Sequence, residues 1–352
     1  MQFDSTTIDT VIPTKIVDGI CMNYEGQCEE IRVPLATFES PIWHSLKRGA
    51  LMSQKSGGIN VVVVDDCMTR SIILEAENLH DGLLCSKWID RNFNMLAATV
   101  EQSSRFAKLK DIFVENIGRL IYIRFSLNTQ NAAGHNMVTK SADALAACIV
   151  QNFSDEKKTA LRYISVSGNI CVDKKVSAIN GILGRGKKVI AEVYVPRDTC
   201  TSVLKTSPEK IAELNTKKNL LGSILAGSVR SANAHFANVI LAIYLATGQD
   251  GANVVEASQG ITFAETNESG DLHFSVTVPN LVVGVIGNGK NLPFVRQNLE
   301  MMGCYPENEN SAKRLAAIIG VSVLCAELSL LAALTNPGEL MSAHLKLERD
   351  KK

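Results

Sequence analysis

Three cations stand close together between Ser167 and Gly186: Lys174, Lys175 and Arg185, set among Asp173, Asn169 and Asn180, with glycines at 168, 181, 184 and 186. Adjacent lysines beside an aspartate on a glycine-spaced loop suit binding an anion and stabilising negative charge on a carbonyl oxygen. Spacing alone also leaves open a solvated basic turn. Beyond Gly186 the run KKVIAEVYVP alternates as a β-branched strand, so the charged part is a loop feeding a strand. Two other features bear on chemistry. His235 and Asn238 sit three apart and share a helix face, which suits either a site or a satisfied polar pair in the core. Asp250 follows an apolar helix, an unfavourable place for an acid against the helix dipole. No dinucleotide-binding Rossmann fingerprint is present: GRG at 184–186 precedes a strand, and GNG at 287–289 lacks the third glycine and the later acid.

Composition narrows the function classes. The chain has 352 residues, enough for one large or two unequal domains, with 46% apolar and 20% charged residues, as in a folded globular enzyme. Lys+Arg and Asp+Glu balance at 36 each, which argues against bulk attraction to nucleic acid or a membrane surface. Nine cysteines without a C-x-x-C give neither a disulfide framework nor a zinc pattern; no metal site is expected, and free thiols point to a reducing compartment. The N-terminus lacks the basic-then-apolar start of a signal peptide. Leu315–Leu334 is nearly long enough to span a bilayer, but Glu327 within it makes a buried helix the better reading. A cytoplasmic protein without a membrane anchor is expected.

The stretch GNICVDKKVSAINGILGRGKKVIAE closely resembles the lysine-bearing loop of the 3-hydroxy-3-methylglutaryl-coenzyme A (HMG-CoA) reductase family. Ordered similarities extend over some three hundred residues: VPLATFES, DDCMTR, SSRFAKL, KNLLGS, NAHFANVILAIYLATGQD, SVTVPNLVVGVIGNG and AELSLLAAL. The resemblance is nearer the eukaryote-like class I branch. It implies reduction of HMG-CoA to mevalonate and free coenzyme A with two NADPH, or NADH, in the mevalonate route to isoprenoids. It also implies a homodimer or dimer of dimers with shared active sites. The alternatives are an impaired relative that binds acyl-coenzyme A or a partner, and a reductase of another 3-hydroxyacyl thioester.

By the same resemblance Lys174 stabilises the oxyanion, Glu39 donates a proton to the reduced carbonyl oxygen, Asp250 bridges the two, and His344 protonates the departing thiolate. Substrate contacts fall to Arg70, Ser167, Asp173, Lys175, Lys218, His235 and Asn238, with Arg70, Lys175 and Lys218 gathered around the acyl carboxylate. Cofactor contacts fall to Ser104 and Arg105 at the adenosine phosphate, and to Asn131, Gly134, Asn136, Gly287 and Gly289 towards the nicotinamide. The sequence departs from the family in this last region. NAAGHN replaces DAMGMN, so Asn131 stands for an aspartate and His135 for a methionine. On that reading, restoring the aspartate at 131 tightens cofactor binding. TFES, RSANAH and GNG depart from TTEG, GGFNAH and GGG, and the family's dimerisation motif is poorly matched by DTVIP at 9–13.

The elements expected to position these residues form an α+β fold. A large mixed helix and sheet domain takes residues 1–70 and 178–352; a small ferredoxin-like β-α-β-β-α-β domain for NADP(H), 71–166, is inserted, and 167–177 connects them. In the first part, IRVPLATF and INVVVVDD read as strands, the latter buried, around a polar patch SPIWHSLKRG. In the insert, SIILEA is a strand, Leu79–Gln102 one long helix, KDIFVEN and LIYIRFSL a hairpin turning at Gly118, Met137–Phe153 a helix and Arg162–Val166 the last strand. Helices are expected at about 208–227 behind Ser207-Pro208, at Ala234–Thr247 stopping at Gly248, at Leu292–Met302 and at Ser311–Leu334; Leu272–Val285 reads as paired strands.

Overall fold

The computed structural model describes residues 10–345, apart from the side chains of residues 343 and 344. The chain opens with the hairpin β1 (Thr14–Tyr24) and β2 (Gln27–Ala36), turning at Glu25-Gly26, where both residues have positive φ as a tight right-twisted turn requires. Helix α1 (Pro41–Lys55) and strand β3 (Ile59–Ala76) follow. Next come α2 (Leu79–Arg91), α3 (Phe93–Ser103), the hairpin β4 (Lys108–Ile117) and β5 (Leu120–Asn128), α4 (His135–Lys157) and β6 (Leu161–Val166). The lysine loop leads to the short α5 (Ala178–Leu183) and then β7 (Gly186–Val195). The remainder comprises α6 (Pro208–Leu214), α7 (Phe236–Ala246), β8 (Ile261–Thr266), β9 (Leu272–Leu281), α8 (Pro293–Met301), α9 (Ser311–Leu334) and α10 (Glu339–His344).

Strand β3 belongs to two sheets. Its first half, Asn60–Cys67, pairs antiparallel with β7, within the order β2-β1-β3-β7-β9-β8. Its second half pairs antiparallel with β5 and with β6, giving β6-β3-β5-β4. Two hydrophobic cores result. One surrounds α9 and α7 against the first sheet; the other packs Trp88, Phe125, Leu145 and Phe153 beneath the second. Trp88 and Phe153 meet edge to face, with ring centroids 6.0 Å apart.

Several sequence expectations change at this level. INVVVVDD and SIILEA are one continuous strand, and Val62 and Val64 are exposed, so the β-branched run marks strand propensity rather than burial on both faces. SPIWHSLKRG is not a turn region but the start of α1: Pro41 occupies the first helical turn, and Ile42, Trp43, Leu46 and Ala50 bury one face. The expected single helix 79–102 breaks at Asn92, whose side chain bonds back to the Trp88 carbonyl. Leu272–Val285 contains one strand, which lies between Gly186–Val195 and Ile261–Thr266. The expected helix at 208–227 begins as foreseen, with the Ser207 side chain capping the Lys210 N–H, but passes into a π-helical segment at Asn215–Gly222.

Helix α9 alone, among the described residues, is long and apolar enough to cross a membrane, and it is enclosed in the larger core. Its buried Glu327 accepts hydrogen bonds from the backbone N–H groups of Ala234 (2.6 Å) and His235 (3.0 Å), the Thr262 hydroxyl (3.0 Å) and Asn219 Nδ2 (3.3 Å). That many donors make a buried carboxylate tolerable. They also fix where α7 begins.

Candidate active site

The lysine loop is held in an uncommon backbone shape. Ser167, Asn169, Val172 and Lys174 all have positive φ, between 45° and 93°. A β-branched residue such as Val172 is a genuine outlier there, and such strain persists only where surrounding contacts over-determine the fold. Those contacts are visible. The Ser71 hydroxyl accepts from Gly168 N at 2.9 Å, and Asn180 Nδ2 donates to the Val172 carbonyl at 2.9 Å. Arg185, 1% exposed, reaches Asp173 Oδ1 at 2.8 Å and Glu256 Oε1 at 2.7 Å. Glu256 is fully buried; burial pushes its carboxyl up, opposed by Arg185, and the Lys174 backbone N–H also favours the charged form. The loop is thus pinned from below by one buried guanidinium.

Lys174 Nζ lies 2.7 Å from Asp250 Oδ2, both about half exposed. That carboxylate raises the Lys174 ammonium above its ordinary value. Burial pushes Asp250 up, but the Lys174 hydrogen bond and the Ala252 N–H outweigh it and hold the acid below its ordinary value. Asp250 does not face a helix C-terminus, as its position in sequence implied: it caps the next turn, accepting from Ala252 N at 3.0 Å, where the dipole favours a negative charge. Gln249 fixes the same turn by exchanging hydrogen bonds with the Gly284 backbone, both at 3.0 Å.

Lys174 and Asp250 stand at a cavity of about 840 Å³ whose lining includes Arg70, Asp173, Gly134, His135, Asn136, Gly287 and Gly289. Gly134 has φ 91° and caps α4, and a side chain there would strike Thr129, so the helix N-terminus opens unobstructed into the cavity. The free N–H groups of a first helical turn attract anions. His135, in the same turn, is held below its ordinary value by burial and by Arg185; its Nε2 is 4.0 Å from Asp173 Oδ1. Arg70 donates to Thr139 Oγ1 at 2.8 Å and stands 3.8 Å from Asp173.

Other sequence candidates lie elsewhere. Glu39 accepts from Asn238 Nδ2 at 3.1 Å, and both line a second cavity of about 390 Å³ with His235 and Arg48. The two cavities share no lining residue, and no ion pair joins Glu39 to Lys174 within the chain. The bridge from Asp250 to Glu39 is therefore absent from the single chain. Nor does it gather Arg70, Lys175 and Lys218 on one anion: Lys175 is exposed and bonds the Asp173 carbonyl, and Lys218 bonds Asn219. Ser167 contributes its N–H to the Ser71 carbonyl at 2.6 Å. Ser104 caps the N–H groups of Phe106 and Ala107, beside an exposed Arg105. Asn131 does not line the cavity: its Nδ2 donates to the Asn308 carbonyl and its Oδ1 accepts from Ala312 N at 3.0 Å, tying its loop to the start of α9. The side chain of His344, at the end of α10, lies outside the described residues, as does Asp9 of the segment 9–13.

The first cavity therefore combines a lysine and aspartate able to stabilise charge on a carbonyl oxygen with a helix N-terminus suited to an anionic ligand. That is the equipment of an enzyme acting on a carbonyl beside a phosphate-bearing partner. The family model for hydroxymethylglutaryl-coenzyme A reductase matches residues 9–349. Relatives bearing the name 3-hydroxy-3-methylglutaryl-coenzyme A reductase include one from Pyrococcus abyssi, 41% identical over 96% of this chain and 82% of its own length. Another, from Methanocaldococcus jannaschii, is 40% identical over 96% and 82%, and one from Oryza sativa subsp. japonica is 42% identical over 92% and 61%. A solved structure of the class II enzyme from Streptococcus pneumoniae, bound to NADPH, shares the fold at a TM-score of 0.74, with 21% identity over 95% of this chain and 88% of that one. The chain belongs to the HMG-CoA reductase family.

Proposed function

We propose that this protein reduces HMG-CoA to mevalonate and free coenzyme A, with NADPH as the hydride source. The observation that carries the reading is the Lys174–Asp250 pair, 2.7 Å long, at the mouth of a cavity entered by the N-terminus of α4. Negative charge grows on the substrate's carbonyl oxygen at each reduction, and the Lys174 ammonium, kept protonated by Asp250, meets it. Glu39 donates a proton to that oxygen, oriented by Asn238. His344 protonates the thiolate that leaves in the first reduction, a task suited to an imidazole. Arg70 and Asp173, locked together with Arg185, shape the substrate side, and Ser104 and Arg105 take the adenosine phosphate.

The strand order β6-β3-β5-β4 and the separate smaller core support a ferredoxin-like cofactor domain at about 71–166, set into a large domain of 1–70 and 178–352, with 167–177 as the connection. Separation of Glu39 from Lys174 into different cavities supports a homodimer, or a dimer of dimers, whose sites draw on two chains. Exposed Val62, Val64, Ile190, Tyr194 and Phe263 on one face of the first sheet offer apolar surface for such contact. Nine unpaired thiols support a cytoplasmic location. Identity of 40–42% to the archaeal and plant relatives, against 21% to the class II structure, supports the class I-like reading.

The test is loss of reduced-nicotinamide absorbance with HMG-CoA, run with NADPH and with NADH. Release of free thiol together with mevalonate is the expected outcome. Dinucleotide and HMG-CoA binding without oxidation of either dinucleotide would instead identify a binding protein.

A further inference from the structure

One cation in the large cavity has no role in the scheme above. Lys290 lies in the loop GNGK between β9 and α8, and it lines the same cavity as Lys174 and the start of α4. It is 8% exposed, yet among the described residues no carboxylate lies within ion-pair distance; its hydrogen-bond partner is the Gly248 carbonyl. A buried ammonium without a counter-charge is costly, and removing water from it is the sole cause that lowers it, to about 8. The acids of the cavity are otherwise engaged: Asp250 with Lys174, and Asp173 with Arg185. The loop that carries Lys290 is itself built for close approach. Gly287 and Gly289 both have positive φ, and Gly248 packs so tightly on the Gly289 carbonyl that an added Cβ would sit 2.9 Å from it. This packing joins the Lys290 loop to the turn that ends in Asp250. A fixed, buried, uncompensated positive charge thus shares one cavity with the unpaired N–H groups of a 23-residue helix.

We propose that Lys290 pairs with a phosphoryl oxygen of the diphosphate bridge of the reduced nicotinamide dinucleotide. The proposal rests on the function proposed above and adds to it the group that compensates this cation. Two bound molecules of the reaction carry a diphosphate, the dinucleotide and coenzyme A. The dinucleotide is favoured because Lys290 follows directly on Gly287 and Gly289 and shares their cavity with the start of α4, the cofactor-side residues, whereas of the acyl-side residues Arg70 and Asp173 line this cavity but Glu39, His235 and Asn238 line the other.

The experiment is equilibrium binding to wild type and to Lys290→Met, which keeps the length of the side chain and removes its charge. NADPH, NADH and HMG-CoA are titrated separately by fluorescence or calorimetry, and the ligand-free melting temperature is measured alongside. NADPH and NADH are expected to weaken together, by roughly tenfold to a hundredfold, the range for a charge-assisted hydrogen bond. HMG-CoA should bind within about twofold of wild type, and the ligand-free melting temperature should hold or rise, because a buried charge has been removed. Loss confined to NADPH would place Lys290 at the adenosine phosphate, and loss confined to HMG-CoA would place it at coenzyme A; either overturns the proposal, as does unchanged affinity for both dinucleotides. A wild type that binds no dinucleotide overturns the proposed function, and this inference with it.

Discussion

Replacing Arg185 by methionine tests what holds the lysine loop. Its guanidinium is the ion-pair partner of two carboxylates, Asp173 at 2.8 Å and the fully buried Glu256 at 2.7 Å. Asp173 keeps access to solvent and to Arg70, whereas Glu256 keeps only Asn253 Nδ2, at 2.8 Å, among side-chain donors. Removing one partner of a buried pair costs about 3–5 kcal/mol, because a charge is left uncompensated. The loss has a ceiling, since Glu256 can take up a proton instead. From its ordinary value of 4.5, neutralising it at pH 7 costs about 3.4 kcal/mol, at about 1.36 kcal/mol per pH unit. The sign follows from proton binding. With the folded value raised, the folded state holds more protons than the unfolded state above pH 4.5, so stability falls as pH rises through that window. Because burial already holds Glu256 above its ordinary value in wild type, Arg185→Met should lose less than about 3.4 kcal/mol through Glu256 at pH 7 and less than about 1.4 kcal/mol at pH 5.5. Adding Glu256→Gln to it should recover most of the loss at pH 7. Urea unfolding at the two pH values measures this directly. A penalty of equal size at both would refute the view that uncompensated charge on Glu256 dominates the effect.

Lys174→Ala should lower turnover by at least roughly 10²–10³-fold, while stability changes by less than about 1 kcal/mol, since its ion pair is half exposed; steady-state kinetics and a melting curve check both. Asn131→Asp should not tighten dinucleotide binding: it keeps an acceptor for Ala312 N but loses the donor to Asn308, so a stability loss of about 1 kcal/mol is expected in denaturant unfolding. Glu327→Gln turns an amide donor towards groups that already donate and should cost about 1–3 kcal/mol, with weaker substrate binding through displacement of His235 and Asn238. Ligand-free stability should rise between pH 8 and 10.5 by up to about 3 kcal/mol more in wild type than in Lys290→Met. Across that window the unfolded chain binds the Lys290 proton and the folded chain has released it; unfolding curves of the two proteins across the window measure the difference.

The order of elements was legible from the chain because period and punctuation are local. The Gly118 turn, the Ser207 cap, the stop at Gly248 and the extent of α9 each follow from residues within a few positions. Errors arose where pattern and burial part. SPIWHSLKRG looks polar, yet its apolar residues recur at helical spacing; INVVVVDD looks buried, yet half of it faces outwards. Glu327 was visible as a charge inside an apolar run, which argued against a membrane span. That it anchors the start of α7 could not be read, because its donors come from residues 219, 234, 235 and 262.

The sequence by itself determined the family, the chemistry-bearing loop and the residue types able to stabilise an oxyanion, because these reside in ordered motifs along the chain. Tertiary structure decided which of them meet. Lys174 finds Asp250 because Gln249 fixes the Asp250 turn on Gly284 while Arg185 and Glu256 hold the loop in left-handed backbone. Asn131 is turned away to α9, Lys290 is buried without a counter-charge, and Glu39 is kept with Asn238 in another cavity. Such facts depend on contacts between residues far apart in sequence, and on burial, which sets the energetic cost of each charge.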